Sequence, residues 1–326
     1  MSTAGTMKAV RIHRRGRPEA LVYEDVPVPV LRPGDALVRV HAAGISPAEL
    51  TWHLWETPDG RSRLPFVPSH EVSGVVAAVA DDVQEVRPGD AVYALCDFFR
   101  DGGAAEYVAV QATELAAKPR SVDHAAAAAT PLSALTAWQA LFDHARIESG
   151  QRVLIHGAAG GVGGFAVQLA KWRGAHVIGT ASARNVRFVR ELGADEVIDR
   201  ATPFEAVARD VDVVLDGIGG EVTERSWSVL RPGGLLVTIV RQPPGWADGR
   251  AARGLFFIVV PRRDQLNELS RLIDAGTVRP VVEAVLPLDR AREAYERGIG
   301  DHPRGKLVLA VVIHAGAHRT STGAGT

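Results

Sequence analysis

Hydrophobic and polar positions change their spacing near residue 121, and this change divides the chain into two predicted parts. Before it, short segments of alternating hydrophobic and polar residues are separated by Pro-Gly-Asp turns at 33–35 and 88–90. Alternation is the period of a strand with one buried face, so these segments predict a twisted, barrel-like sheet. The predicted strands are 22–30, 36–42, 72–80, 90–94 and 104–110.

After residue 121, continuous hydrophobic runs alternate with segments of helical period. The runs predict strands at 152–156, 176–180, 196–198, 211–215 and 235–240. The segments between and before them predict helices at 124–129, 132–142, 165–172, 185–192, 205–208 and 221–230. Buried strands that alternate with helices are typical of a doubly wound parallel sheet, so we predict an α/β fold for this part.

The junction between the first of these strands and the next helix is rich in glycine. The β-branched run at 153–155 ends at Gly157, and the turn that follows leads directly into the helical segment at 165–172. Strand, tight turn and helix form the context of a dinucleotide-binding motif, because the helix N-terminus attracts a pyrophosphate and glycine lets the backbone approach it. The alternative is a tight turn that only packs against its neighbours. The predicted cofactor contacts are Ala159, Gly160, Gly161, Val162 and Gly163.

Composition limits the possible partners. The chain has 326 residues, 46% hydrophobic content and a net charge of −1, which predicts a soluble protein of two domains with neither nucleic acid nor membrane as a partner. No membrane span or signal peptide is recognisable. The single cysteine, Cys96, excludes internal disulfides and favours a cytoplasmic location, and we interpret it as a partly buried small residue. The tail at 314–326 is predicted to be disordered.

Several motifs carry a resemblance to a known family. They are AAGISP at 42–47, HEVSGVV at 70–76, VRPGDAV at 86–92, GGAAEYV at 102–108, PLSALTAWQAL at 131–141, LGAD at 192–195, VLD at 214–216, LRPGG at 230–234 and GKLVL at 305–309. With these motifs the chain resembles the zinc-independent quinone oxidoreductase branch of the medium-chain dehydrogenase/reductases. The resemblance implies a GroES-like β-barrel domain, residues 1–121 and 262–326, into which a Rossmann domain, residues 122–261, is inserted.

The segment after the second strand of the Rossmann domain favours NADPH. NAD-preferring domains place an acidic residue about 20 residues beyond the glycines, whereas here no carboxylate precedes Glu191. Ser182 can donate to a 2′-phosphate, and Arg184 or Arg187 can pair with its charge. Arg200 stands where the resembling family usually has a tyrosine beside that phosphate. The alternative is that these arginines lie on a solvated helix face.

Two further cofactor contacts follow from the resemblance. Thr136 corresponds to a threonine near the nicotinamide in relatives, although it is equally compatible with an ordinary helix residue. Lys306 of the GKLVL motif is the second predicted contact.

The resemblance also indicates that no metal is needed. In metal-dependent relatives, zinc is held at positions that correspond to Ser46, His70 and roughly Leu132 of this chain. A catalytic zinc requires three protein ligands, and His70, with Glu71 as a second candidate, does not supply them. We therefore predict a metal-free enzyme. His70 either contacts the substrate or lies hydrogen-bonded beneath the cleft.

Without a metal, the predicted reaction is hydride transfer from NADPH to a quinone or an α,β-unsaturated carbonyl. Ser46 is the candidate donor to the substrate carbonyl, unless it only caps the turn that follows it. Aromatic side chains and one histidine are predicted to form a flat substrate pocket, unless they pack the mouth of the barrel. They are Trp52, His53, Trp55, Tyr93, Phe98 and Phe99.

The sequence leaves two alternative functions open and also predicts a homodimer. The chain could be an enoyl reductase or a tailoring reductase of polyketide biosynthesis, or an NADPH-binding structural or regulatory protein with little catalysis. The apolar segment at 254–261 is predicted to be an edge strand, and such a strand aggregates unless something covers it. We therefore expect a homodimer; the alternative cover is the helix predicted at 265–274 of the same chain.

Overall fold

The computed structural model describes residues 5–52, 54–57, 59–243, 251–301 and 303–311. The tail predicted to be disordered, 314–326, lies outside the described residues, as does His53. Among the described residues, no helix is long and apolar enough to cross a membrane.

Fifteen strands and seven α-helices lie within the described residues. The strands are β1 (Thr6–Ile12), β2 (Leu21–Pro27), β3 (Asp35–Ile45), β4 (Glu71–Val79), β5 (Ala91–Leu95), β6 (Tyr107–Gln111), β7 (Ala116–Ala117), β8 (Arg152–His156), β9 (His176–Ala181), β10 (Glu196–Asp199), β11 (Val211–Asp216), β12 (Leu230–Thr238), β13 (Arg253–Phe256), β14 (Val282–Pro287) and β15 (Lys306–Ala310). The helices are α1 (His124–Ala128), α2 (Pro131–Trp138), α3 (Gly161–Trp172), α4 (Val186–Glu191), α5 (Glu221–Ser226), α6 (Arg263–Asp274) and α7 (Ala291–Gly300).

The first sheet is built around the long strand β3. Its order is β14-β15-β3-β4-β5-β7, and β6 also pairs with β3. One edge of β3 pairs with β4, while the other pairs first with β6 and then with β15. Because β14 and β15 come from the C-terminal part of the chain, the chain returns to this sheet after building the second one. This is the GroES-like part of the predicted fold.

The second sheet contains six strands in the order β10-β9-β8-β11-β12-β13, and every pair is parallel. The strand order reverses between β8 and β11. In open sheets of this type, ligands bind outside the carboxyl ends of the strands at such a switch point. The prediction of a doubly wound α/β sheet is therefore confirmed, and the carboxyl end of β8 becomes the first place to look for a site.

One buried cluster joins the two sheets. Tyr93 and Leu95 of β5 pack in the same cluster as Leu135 of α2 and Leu266 of α6. The Tyr93 hydroxyl donates to the Leu266 carbonyl at 2.6 Å. The domain limits at 121/122 and 261/262 stay a prediction.

Several predicted elements end elsewhere in the structure. The segment at 205–208 is not an α-helix but contains a single 3-10 turn, Phe204–Ala206. The helix predicted at 132–142 is α-helical only to Trp138 and continues as a wider π-helical turn, Gln139–His144. The strand predicted at 254–261 leaves the sheet after Phe256. Both backbone groups of Val260 bond to the side-chain amide of Gln139.

Candidate functional site

The Gly-rich turn begins where β8 ends and leads at once into α3. Gly157 has a φ of +70°, which side-chain-bearing residues rarely adopt. A Cβ on Gly163 would lie 2.2 Å from the Gly157 carbonyl oxygen, so glycine is needed for the helix to start this close to the strand. No side chain caps α3 at Gly160, and the first N–H groups of a helix have no partner within it. The turn therefore presents N–H groups and a positive dipole end to an anion.

The C-terminal return of the chain crosses this turn. The Gly305 N–H donates to the Ala159 carbonyl at 2.9 Å, and Gly305 forms a parallel bridge with Gly160. A Cβ on Gly161 would lie 2.9 Å from Cδ of Lys306, so the lysine stem passes directly beside the turn. The five predicted turn residues, 159–163, are thereby brought together with Lys306.

The ammonium group of Lys306 contacts two residues of the first part of the chain, Glu71 and Ser46. Its side chain is 7% exposed and forms an ion pair with Glu71, which is 1% exposed. The Lys306 Nζ also donates to the Ser46 Oγ at 2.7 Å, and the Leu132 N–H donates to the second Glu71 oxygen at 3.1 Å. Burial raises the pKa of the Glu71 carboxyl, while the Lys306 ammonium opposes that rise. Ser46, half-buried, therefore lies beside a buried ammonium.

A second buried group of polar side chains holds His70. Its Nδ1 lies 3.3 Å from Oε2 of Glu49, and both side chains are at most 3% exposed. Glu49 also accepts from the Tyr295 hydroxyl and, at 2.9 Å, from the Ser69 N–H. Burial raises the pKa of Tyr295, so its hydroxyl stays protonated and donates. Among the described residues, the buried Nε2 of His70 has no hydrogen-bond partner, which leaves that atom available to a bound molecule.

Two aromatic side chains lie next to His70. The Phe98 ring is 5.3 Å from the His70 ring and 5.4 Å from the Trp52 ring, edge to face in both cases. Arg63 fixes the two loops that carry these rings. Its guanidinium donates to the carbonyls of Leu54 at 2.6 Å and Phe98 at 3.0 Å, and also to that of Arg100 at 2.8 Å. Trp52, Phe98 and His70 therefore form one aromatic surface.

For the other three described pocket residues, the structure shows contacts or exposure of a different kind. Tyr93 is wrongly assigned to the pocket, because it is fully buried in the core and its hydroxyl bonds to Leu266. Trp55 instead stacks under the Arg15 guanidinium, 5.2 Å from its ring centre. Phe99 is 47% exposed and does not join Phe98 and Trp52.

The predicted phosphate contacts lie around the carboxyl end of β9. Ser182 begins the turn after this strand, and the Arg200 N–H donates to the Ala181 carbonyl at 2.7 Å. The Arg184 guanidinium donates to the Asp301 carbonyl at 2.8 Å. Arg187 extends along α4, where it is 92% exposed and pairs with Glu191. Ser182, Arg184 and Arg200 therefore share one end of the sheet, whereas Arg187 is engaged on the helix surface.

A fourth arginine of this region, Arg304, was not predicted from the sequence. Arg304 donates to the Asn185 Oδ1 at 2.7 Å and to the Arg184 carbonyl at 3.0 Å. Its guanidinium also stacks on the Phe188 ring at 5.3 Å. Arg304 lies 119 residues beyond Asn185, and no local pattern indicates that the returning chain brings it here.

The side chains that correspond to zinc ligands in relatives do not fit a catalytic zinc. The Ser46 Oγ accepts from an ammonium, and Leu132 has an apolar side chain that cannot bind a metal ion, while its N–H and carbonyl bond to Glu71 and Thr136. In the described part of the chain, no group of three or more His, Cys, Asp or Glu side chains could hold a metal ion. Cys96 is buried, and burial raises the pKa of its thiol, which disfavours a nucleophilic or ligating thiolate.

Thr136 gives no sign of a special role. Its side chain is buried, and its hydroxyl donates to the Leu132 carbonyl of the same helix at 2.6 Å. Its contact with a cofactor stays a prediction.

Both parts of the chain match known families. Residues 32–120 match the family model described as alcohol dehydrogenase GroES-like domain, and residues 192–309 match the one described as zinc-binding dehydrogenase.

Curated relatives and a solved structure extend the match to nearly the whole chain. A probable zinc-binding mitochondrial oxidoreductase of Arthroderma benhamiae is 34% identical, over 88% of this chain and 91% of the relative. A chloroplastic NADPH-dependent alkenal/one oxidoreductase of Arabidopsis thaliana is 33% identical, over 87% of this chain and 74% of the relative. The structure of a quinone oxidoreductase from Coxiella burnetii is 31% identical, with a TM-score of 0.88, and covers 94% of this chain and 100% of that one.

Gly163→Ala tests the packing of the Gly-rich turn. The added Cβ meets a backbone oxygen, which cannot rotate away, so we expect a loss of about 1–3 kcal/mol in the free energy of unfolding. We also expect weaker binding of nicotinamide dinucleotides. Urea unfolding and fluorescence titration with the dinucleotide measure the two effects.

Gly164→Ala is the matched control, because its Cβ meets its nearest neighbour, Leu192, at an ordinary 3.6 Å. Alanine in place of a helical glycine stabilises by up to about 1 kcal/mol. If Gly163→Ala is as stable as Gly164→Ala and binds the dinucleotide like the wild type, the close contact between strand and helix does not govern this turn.

Proposed function

Because the chain belongs to the quinone oxidoreductase-like family of the medium-chain dehydrogenase/reductases and is an NAD(P)H-dependent oxidoreductase, we propose that it uses NADPH, without a metal, to reduce a quinone or an α,β-unsaturated carbonyl. The observation that carries this proposal is the position of Ser46. Its hydroxyl accepts from Lys306, whose stem lies beside Gly161 of the Gly-rich turn, and Ser46 begins the short turn that carries Glu49, the partner of His70. The Ser46 hydroxyl is the donor available to a substrate carbonyl beside the cofactor turn.

The residues of the second sheet would hold the cofactor. The N–H groups of the turn at 159–163 suit the pyrophosphate, and the first carboxylate after β9 is Glu191, ten residues beyond the strand, so none stands at its end to bind a ribose 2′-hydroxyl. Ser182 and Arg184 follow β9, Arg200 follows β10, and Arg304 donates to Asn185 and to the Arg184 carbonyl beside them. Arginine is the usual partner of a phosphate group, which supports this end of the sheet as the place of a 2′-phosphate. These features support NADPH over NADH.

The residues of the first sheet would bind the acceptor. The bound nicotinamide supplies a hydride, that is, one proton and two electrons. Ser46 donates a hydrogen bond to the acceptor oxygen, on which negative charge develops as the hydride arrives. Trp52 and Phe98 provide apolar edges for a flat ring or enone and exclude water. The Nε2 of His70 has no hydrogen-bond partner among the described residues. It is the candidate second donor when the ring carries a proton on both nitrogens, because Nδ1 then donates to Glu49 from the opposite side.

The proposal includes the absence of a metal. A cation at Ser46 would face the ammonium of Lys306, since Nζ lies 2.7 Å from Oγ, and like charges at that distance repel strongly in a buried site. The oxygen of the acceptor therefore relies on hydrogen bonds rather than on a Lewis acid.

A homodimer and a cytoplasmic location belong to the same proposal. β13 is the edge strand of the second sheet, and the segment after it exposes apolar side chains, with Ile258 at 67% and Val260 at 52%. Such an edge favours pairing with a second copy around a two-fold axis.

The alternative is that α6 covers this edge within the same chain. The helix buries its own apolar face in the core and leaves Ile258 exposed, which argues against that alternative. The single cysteine supports a reducing compartment.

The wild-type protein should oxidise NADPH in the presence of small quinones and enones such as 1,4-benzoquinone and methyl vinyl ketone. Turnover should survive exhaustive dialysis against a chelator, and metal analysis should find less than one zinc per chain. Adding acyl thioesters and polyketide-like enones to the panel tests the alternative of an enoyl or tailoring reductase. If the protein contains one zinc per chain and loses its turnover when the chelator removes that zinc, the metal-free reaction is contradicted. If the protein turns over no acceptor, the alternative of an NADPH-binding protein with little catalysis is favoured.

Substituting the arginines at the end of β9 should weaken NADPH binding selectively. Arg184→Ala, Arg200→Ala and Arg304→Ala each remove a charged donor to the proposed 2′-phosphate, so we expect the dissociation constant of NADPH to rise roughly 10- to 100-fold. The constant for NADH, which lacks this phosphate, should change little. Fluorescence titration measures both constants.

Arg187→Ala should have a smaller effect, because its guanidinium already pairs with Glu191. Arg271→Ala on the surface of α6 is a control with an equivalent exposed ion pair. Equal affinity of the wild type for NADPH and NADH would contradict the proposed preference for NADPH.

Light scattering at micromolar concentration should give twice the chain mass of 34.7 kDa. Ile258→Lys should convert the dimer to monomer or aggregate, because it places a charge on the proposed pairing edge. Val30→Lys is the control, since Val30 is 84% exposed and far from β13 in the sheet topology. A wild-type monomer would refute the dimer.

A further inference from the structure

The ammonium of Lys306 lies in a site that is shaped to receive it. The lysine stem passes Gly161, where a Cβ would lie 2.9 Å from Cδ, and the Glu71 side chain passes Gly44, where a Cβ would lie 2.7 Å from Cγ. Both stems therefore need a glycine beside them. The two charges meet where solvent barely reaches, with 7% and 1% exposure. The contact of Nζ with Ser46 completes the group.

The contact between Lys306 and Ser46 has a defined direction. A lysine ammonium has three donors and no acceptor, whereas a serine hydroxyl has one donor and two acceptor sites. In the 2.7 Å contact, Lys306 therefore donates and Ser46 accepts. The hydroxyl proton of Ser46 cannot point back at the lysine and must be given to a different acceptor.

We propose that Lys306 is a positioning residue that makes Ser46 a one-way donor to the oxygen of the substrate carbonyl and strengthens that donor with its charge. This inference rests on the proposed function. It assigns to the buried lysine the electrostatic task that a metal has in zinc-dependent enzymes. Glu71 holds the ammonium in place, and the glycine at 161 keeps the lysine stem against the cofactor turn.

Lys306 would act at the step in which negative charge develops on the carbonyl oxygen of the substrate. As the hydride reaches the β-carbon of an enone, the π electrons of the C=C bond move toward the carbonyl oxygen and form an enolate. Ser46 already donates to that oxygen, and the ammonium behind Ser46 lowers the energy of the new negative charge. A proton from water then completes the saturated ketone, so that hydride and proton together reduce the double bond.

Stabilisation of the fold alone does not explain why Lys306 and Glu71 form a buried ion pair next to Ser46. Removing two charges from water costs about as much as their attraction returns, and well-packed apolar residues often serve equally well. The serine contact and the closeness to the cofactor turn are features that a purely structural pair does not need.

A double-mutant cycle between Ser46 and Lys306 tests the proposal. Ser46→Ala and Lys306→Met should each lower kcat roughly 100-fold for an enone, as loss of one donor to a developing oxyanion does. The double variant should be no slower than either single one, because the lysine acts through the serine. The dissociation constant of NADPH should stay within about 2-fold for Ser46→Ala, which keeps Lys306 beside the cofactor turn. Lys306→Arg should restore part of the rate.

A second readout distinguishes electrostatic help from mere structure. Across a series of enones with increasingly electron-withdrawing substituents, log kcat should rise more steeply for Lys306→Met than for the wild type, because the variant depends more on the acceptor's own electrophilicity. Lys171→Met, which removes an exposed lysine paired with Asp195, should keep the wild-type slope. An unchanged slope in Lys306→Met would assign the lysine to structure alone.

A variant that leaves Glu71 buried without its partner could fail to fold. Glu71→Gln combined with Lys306→Met removes both charges and preserves the acceptor of the Leu132 N–H, and we expect it to fold and to show the same loss of kcat. Full activity in this folded variant, or effects of Ser46→Ala and Lys306→Met that multiply, overturns the proposal while the proposed function stands. A wild type that reduces no enone or quinone overturns both.

Discussion

The backbone contact between Gly305 and the Gly-rich turn fixes the relation between the two sheets. Gly305 donates to Ala159 and pairs with Gly160, and one residue later the chain enters β15, which pairs with β3 of the first sheet. A single short segment is thus part of both halves of the site. Its position decides where Lys306 and Arg304 lie, the first beside Ser46 of the first sheet and the second beside Asn185 after β9.

The arrangement of strands could be predicted because its signals are local. Pro-Gly-Asp turns separate the short strands of the first sheet, and uninterrupted hydrophobic runs indicate the buried strands of the second. The predicted strand at 254–261 is wrong in its second half, because a side chain that is distant in sequence overrides the local preference. Gln139 binds both backbone groups of Val260, so the chain leaves the sheet there, and nothing near 254–261 in the sequence reveals a partner 121 residues away.

The same distinction applies to the site. The Gly-rich turn, Ser46 and His70 could be found from motifs, because each lies in a short stretch of characteristic residues. Glu49, Tyr295, Arg63 and Arg304 could not, since their role depends on contacts made after folding. Glu49 reads as an ordinary helix-capping residue, yet it joins His70 to a tyrosine 246 residues later in the chain. Tyr93 was misplaced because an aromatic residue near a pocket motif gives no information on which way it points.

The three carbonyl contacts of Arg63 bear on which side chains of the aromatic surface can be exchanged. This one guanidinium holds the backbone of both loops around that surface through main-chain oxygens, which every residue type provides. Trp52 and Phe98 can therefore be replaced without removing the contacts that hold their loops. Rings of other sizes can be introduced there one at a time while the Gly-rich turn of the second sheet keeps its own contacts.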